Sequence, residues 1–254
     1  MTIKEIFANP TVKQMIFEIR FPNIFYMEKN IGDLQLKIME NFPQSALIIR
    51  RKFMLADIGP EGKIENPPED LDKEAIIKIW QFKSEKDFSL NVLNQSVAIV
   101  SQYHKTYNIG GGDNFRDIIN YVLSRFFEII SIPIINRIGL RYVNECPIPS
   151  KNNESFKSYY NSVFPLDRFN LADADEMIFK TKVKTGDYYL RYSESLKKKK
   201  DEYKLILDFD GSAENINLKD YEKITDELHA IISAEYEDKI KKPVYKYMRK
   251  PKEE

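Results

Sequence analysis

The sequence predicts an α+β fold made of two tandem strand–helix–antiparallel strands–helix units forming one compact, pseudo-symmetric body. Three observations carry this. Several segments alternate apolar and polar residues with period two, and they follow one another instead of each being separated by a helix. Two long segments carry an apolar stripe at helical spacing. The order of elements then begins again after residue 135, so the units are 1–135 and 136–254, the second ending in a basic tail.

The first unit opens with a strand over residues 15–21, where Met15, Phe17, Ile19 and Phe21 share one face and Ile16, Glu18 and Arg20 the other. Leu34, Ile38 and Met39 give residues 31–42 a helical period, which Pro43 stops. Residues 45–55 form an Ile-rich strand interrupted by Arg50 and Arg51, and the proline- and acid-rich stretch 59–72 is a solvated loop. Strands over 75–83, 88–93 and 97–103 follow, the last two joined at Asn94 and Gln95. A glycine run, 110–112, leads through Asp113 or Asn114 as cap into a helix over 115–130 with Phe115, Ile118, Ile119, Val122, Phe126 and Ile129 on one side. The second unit repeats the order: strand 138–145, helix 154–164 ended by Pro165, strands 177–184, 188–193 and 203–210, and a closing helix over 218–240. Residues 17–21 and 138–142 echo each other, with Arg20 and Arg141 in register.

In element order the chain resembles the duplicated TATA-binding-protein-like fold, a likeness that carries no function by itself. A helix-grip arrangement, one curved sheet wrapped on the last helix, is the competing architecture. At the level of residues, Asn9-Pro10, the segment 16–22, Trp80 to Ser84, the segment 137–144 and Leu228 to Ile232 resemble a sporadically distributed, uncharacterised family of prokaryotic proteins. The resemblance implies one unit of this length with no assigned activity, catalytic residues or cofactor, and an accessory role such as genome defence. Such proteins tend to place a tryptophan after the position of Tyr107, where this chain has Asn108 and Ile109.

Composition narrows the chemistry. The 254 residues are 43% hydrophobic and 31% charged, with 39 basic and 39 acidic side chains, so no global field recruits nucleic acid or an anionic membrane. The single cysteine, Cys146, excludes a disulfide framework, and two histidines, His104 and His229, lack the paired spacing of a metal site. No phosphate-binding loop, nucleophile elbow or deaminase signature is present. No metal, cofactor or catalytic residue is therefore assigned. The N-terminus has no basic stretch followed by an apolar core, and no apolar run reaches the ~20 residues of a membrane span; a soluble, cytoplasmic protein is expected.

The remaining candidates are charged. Asp208 with Asp210, and Asp173, Asp175 and Glu176, are spaced for a divalent cation, a pattern that a solvated sheet edge also produces. Lys197 to Lys200 read as a hairpin tip, and the lysines after 240, interleaved with Tyr245 and Tyr247, as a solvated tail or a stacking-and-phosphate surface. The strongest set is Glu18, Arg20, Arg141, Tyr142, Asn144 and Arg191. Its arginines can form a fork for phosphate or carboxylate, or Glu18 can pair with one of them and brace the two halves. The leading expectation is a non-enzymatic interaction or regulatory module with a protein partner or a second copy of the chain. Nucleic-acid binding through the sheet face, with Arg20, Arg141, Arg191 and Lys180 on phosphates, is the alternative; a pocket between sheet and long helix, in a ligand carrier or enzyme, is the third.

Overall fold

Alternation at the head of the chain produces the central strand. Met15, Phe17 and Ile19 of β1 (Val12–Arg20) are buried while Glu18 and Arg20 lie on the opposite face. The computed structural model describes residues 5–52, 75–102, 106–109, 114–148, 150–199 and 202–251. Within them the order continues α1 (Met27–Ile38), β2 (Gln44–Lys52), β3 (Ala75–Lys83), β4 (Phe88–Leu93), β5 (Ser96–Ser101), α2 (Phe115–Ile129), β6 (Ile135–Cys146), α3 (Asn153–Tyr159), β7 (Glu176–Thr185), β8 (Tyr188–Lys199), β9 (Glu202–Ile216), α4 (Tyr221–Lys239) and α5 (Lys242–Arg249). The predicted loop 59–72 and the glycines before α2 lie outside the described residues, as does His104.

All nine strands join one antiparallel sheet in the order β2-β3-β4-β5-β1-β6-β9-β8-β7. The fold is thus α+β, as the sequence predicts. Residues before 135 supply five neighbouring strands and those after it four, and they meet where β1 runs antiparallel to β6, Phe17 opposite Leu140 and Ile19 opposite Ile138. Every strand from β4 to β9 except β7 presents a buried apolar row to one side, and the helices pack there. α2 places Phe115 against Phe88 and Phe126 against Phe21; α4 places Tyr236 edge-on to Phe209. Side chains of this size each contribute about 1.5–3 kcal/mol on burial, so the sheet's apolar rows hold the helices to one face. An added Cβ at Gly211 of β9 would sit 3.3 Å from Leu228 and Ile232, so α4 lies directly on the strand there.

Several boundaries differ from the sequence reading. α1 starts a turn earlier and ends at Ile38. The closing helix stops at Lys239: Ile240 is extended and bridges to Tyr160, and Pro243 then starts α5 in its first turn. The basic C-terminal stretch is therefore a docked helix and not a frayed tail. Val244 and Met248 are buried, Asn9 N–H donates to the Met248 carbonyl at 2.9 Å, and Arg249 forks onto Glu5 at 2.7 and 2.8 Å. Lys197 is likewise within β8, paired to Glu176 at 2.9 Å, and not at a hairpin tip. Asn114 caps α2, accepting from Asp117 N–H at 3.0 Å.

A carboxylate interrupts the buried row of β8. Glu194 of β8 is 1% exposed and accepts hydrogen bonds from Ser162 Oγ, Val163 N–H (3.2 Å) and Tyr192 OH (2.8 Å), which ties the segment after α3 to the sheet. Glu194→Ala leaves the buried Tyr192 hydroxyl without its acceptor and releases the Ser162 and Val163 donors at the edge. The expected loss is about 2–3 kcal/mol of unfolding free energy, read as a lower urea midpoint with the slope unchanged.

Candidate functional site

The face of the sheet opposite the helices is where the predicted charged residues gather. Register places them in transverse rows. Ile16, Arg141, Asp210, Arg191 and Lys182 stand side by side across five strands; Val143, Asp208, Ser193 and Lys180 form the next row. On the other side lies the row Glu18, Gly139, Ser212, Tyr189 and Lys184.

Most of the arginines here already have carboxylate partners. Arg20 Nε donates to Glu18 at 2.9 Å, and Glu18 also accepts from Arg137 of β6 at 3.2 Å. Arg137 reaches on to Asp210 of β9 at 3.1 Å. Arg141 forks onto Asp208 at 2.6 and 2.8 Å, which raises its pKa further. The brace between the halves is thus Glu18–Arg137, not Glu18–Arg141, and the two arginines of the predicted fork are each internally satisfied. Gly139 makes the brace possible: a Cβ there would lie 2.4 Å from the Arg137 guanidinium, which crosses the strand at that point. Asp208 and Asp210 are spent on arginines, and no group of three metal-ligating side chains exists among the described residues.

At the β7–β8 end the balance changes. Lys180, Lys182 and Lys184 fall on alternate positions of β7, so all three point to the open face, beside Arg191 of β8. None of the four has a carboxylate within ion-pair distance among the described residues. Lys182 Nζ instead sits over the Tyr189 ring, 4.1 Å from its centroid. A shallow depression runs between Arg191, Lys180 and Lys182 on one side and the Arg141–Asp208 pair on the other. Sequence reasoning found Lys180 and Arg191 but passed over Lys182, Lys184, Tyr189 and Arg137. The signal for the lysines was present as their period-two spacing in β7.

Tyr142 and Asn144 are not part of this surface. Both point to the helix side, because they alternate with Arg141 and Val143 along β6. There Asn144 Nδ2 donates to the Leu207 carbonyl at 3.3 Å and Tyr142 OH lies 2.7 Å from His229 Nδ1 on α4. His229 is sandwiched by the Tyr107 ring, 4.1 Å between centroids, and its Nε2 is 3.4 Å from Ser233 Oγ. Burial drives the imidazole pKa down from 6.5 to about 4, so the ring is neutral. Burial likewise pushes the Tyr142 phenol and the Cys146 thiol up, leaving the thiol protonated and unreactive. A cavity of about 110 Å³ adjoins this cluster, lined by Thr11, Met15, Tyr142, His229, Ser233 and Met248 among others.

The candidate set therefore divides. Glu18, Arg20, Arg141 and Arg191 share the open face, with only Arg191 unpaired; Tyr142 and Asn144 belong to an interior polar cluster beneath α4. The basic helix α5 packs on that same helix side through Val244 and Met248, so it is not continuous with the open face. No helix among the described residues is long and apolar enough to cross a membrane. Comparison with protein-family models and with curated proteins yields no match.

Proposed function

We propose that this protein is a binding module that holds single-stranded nucleic acid on the β7–β8 end of its helix-free sheet face. The observation that carries the reading is the group Lys180, Lys182, Lys184 and Arg191, four cations on two paired strands without carboxylate partners among the described residues, next to the Tyr189 ring. Successive lysines on one face of a strand stand about 6.7 Å apart, so an extended polyanion lying along β7 meets one cation after another. When Lys182 leaves the ring for a phosphate, Tyr189 is freed to stack on a base. The rest of the face, with its arginines neutralised by Glu18, Asp208 and Asp210, adds shape and hydrogen-bonding groups but little field. This narrows the broader expectation of an interaction or regulatory module in an accessory role such as genome defence.

The test is fluorescence anisotropy of a labelled single-stranded oligonucleotide over a salt series. Affinity is expected to fall linearly in log–log form, with a slope near −0.7 per phosphate contacted. Absence of binding at low salt rejects the reading. A protein partner or a second copy of the chain is favoured instead by apolar side chains exposed at both sheet edges, Leu47 and Ile49 on β2 and Phe179 and Val183 on β7. Light scattering that reports a dimer, lost on Ile49→Lys or Val183→Lys, would establish that reading.

The strand order also supports an internal duplication of the TATA-binding-protein-like kind. In each half the first strand pairs with the last strand before the closing helix, and the two first strands pair with each other. Matching Arg20 to Arg141 puts the pseudo-two-fold between Glu18 and Gly139, which are direct partners. If overlaying β1, β5 and β4 on β6, β9 and β8 in an experimental structure leaves α2 and α4 apart, the duplication is rejected.

A further inference from the structure

We propose that the cavity beneath β1 and β6 is a binding site for a small neutral molecule, one ring in size, carrying a single oxygen acceptor such as a phenolic hydroxyl. The site lies on the helix side of the sheet and is independent of the open face.

Size sets the first limit. About 110 Å³ is somewhat smaller than the ~150 Å³ engineered cavity that accepts benzene. Two of the walls are Met15 and Met248, flexible thioether side chains that adjust to an occupant's outline.

Charge sets the second. His229 is neutral, the neighbouring phenols are protonated, and Glu5 at the edge is held by Arg249. An ionised ligand would lose its hydration and find no counter-charge.

Hydrogen bonding sets the third. Among the described residues Tyr142 OH has one hydrogen-bond partner, His229 Nδ1 at 2.7 Å; assigned as the O–H donor, it makes that nitrogen the acceptor. The imidazole proton of the neutral ring then sits on Nε2. Among the described residues the acceptor near Nε2–H is Ser233 Oγ at 3.4 Å, a long contact for a hydrogen bond. Thr11 Oγ1 is already bonded to Tyr236 OH at 2.5 Å and Asn144 Nδ2 to the Leu207 carbonyl, so neither is open to an occupant. The long Nε2–Ser233 contact is the weak point of the rim, and an oxygen placed there can accept from Nε2–H and donate to or accept from Ser233. Apolar walls with one directed polar corner are the usual make-up of a small-molecule site.

The experiment uses phenol, benzene and benzoate as probes of the full chain, by calorimetry and by the ¹⁵N shift of His229 Nε2. Phenol is expected to bind saturably and to move the Nε2 resonance. Benzene should bind about five- to tenfold more weakly, the worth of one hydrogen bond, and benzoate not at all. Ser233→Leu fills the cavity and should abolish phenol binding. Should that variant fail to fold, Ser233→Ala, which removes only the hydroxyl, should weaken phenol relative to benzene. No saturation up to the solubility of phenol, an unmoved Nε2 resonance, or a cavity holding only ordered waters in phenol-soaked crystals would overturn the proposal. Equal affinity for all three probes would overturn it as well.

Discussion

Changing Lys180, Lys182, Lys184 and Arg191 together to Ala should lower affinity for single-stranded nucleic acid a few thousandfold at 0.05 M salt. The size follows from counterion release. Each phosphate contact adds roughly 0.7 to the salt slope, worth about an eightfold gain in affinity at that ionic strength. Four contacts compound to a few thousandfold, and the slope should shrink by close to 3. The controls come from the same face. Arg20 and Arg141 are engaged by Glu18 and Asp208, so Arg141→Ala should cost less than one contact. Lys246→Ala on α5, on the other side of the sheet, should cost nothing measurable. If the α5 variant weakens binding as much as the β7–β8 variant, attraction is diffuse and the proposed site is wrong. All four changes are to exposed side chains without ion pairs among the described residues, so the variant should melt with the native protein.

How much of this surface was legible in the sequence depended on whether the needed information was local. Alternation at Met15 to Phe21 is local, and it placed Glu18 and Arg20 on the face away from the core correctly. The same rule applied to β6 puts Arg141 and Tyr142 on opposite faces, yet both entered one candidate set because they are neighbours in a distinctive segment. That division could be read from period two alone. The partners could not. Arg141 meets Asp208 and Arg137 meets Asp210 because β9 lies against β6, and pairing across some 70 positions is decided by the packing of the whole sheet. The break between α4 and α5 is of the same kind: Ile240 is extended because it bridges to Tyr160, a residue remote in sequence. The lysine run was misplaced for a related reason. Lys197 belongs to β8 because β9 begins at Glu202 and pairs with it to the end, whereas composition alone favoured a solvated tip. The one-sided sheet itself followed from local patterns, since every strand between the two edge strands β2 and β7 carries its own buried row.

Acidification should destabilise the fold well before the carboxylates titrate, and His229 should be the cause. Its imidazole is held neutral by burial, with Tyr107 stacked on one face, Tyr142 OH on Nδ1, Ser233 near Nε2, and Asp226 beyond Tyr107 offering a smaller opposing pull. The unfolded chain binds the proton near pH 6.5 and the folded chain only near 4, so between those values the unfolded state holds more protons. Stability is then full above about pH 7.5 and falls as pH drops through 6.5 towards 4, by about 3 kcal/mol in all. Against a total of roughly 5–15 kcal/mol for a folded domain, that is a large share. Urea unfolding at a series of pH values between 8 and 4 measures it, and His229→Gln, which keeps a polar group but has no titration there, should flatten the curve across the window. A wild-type curve already flat between pH 7 and 4.5 would mean that the imidazole takes its proton without leaving the core. In that case the Nε2 corner of the cavity is open to water. The same measurement bears on the ligand: phenol binds the folded chain and not the unfolded one, so its presence should push the acid transition lower still.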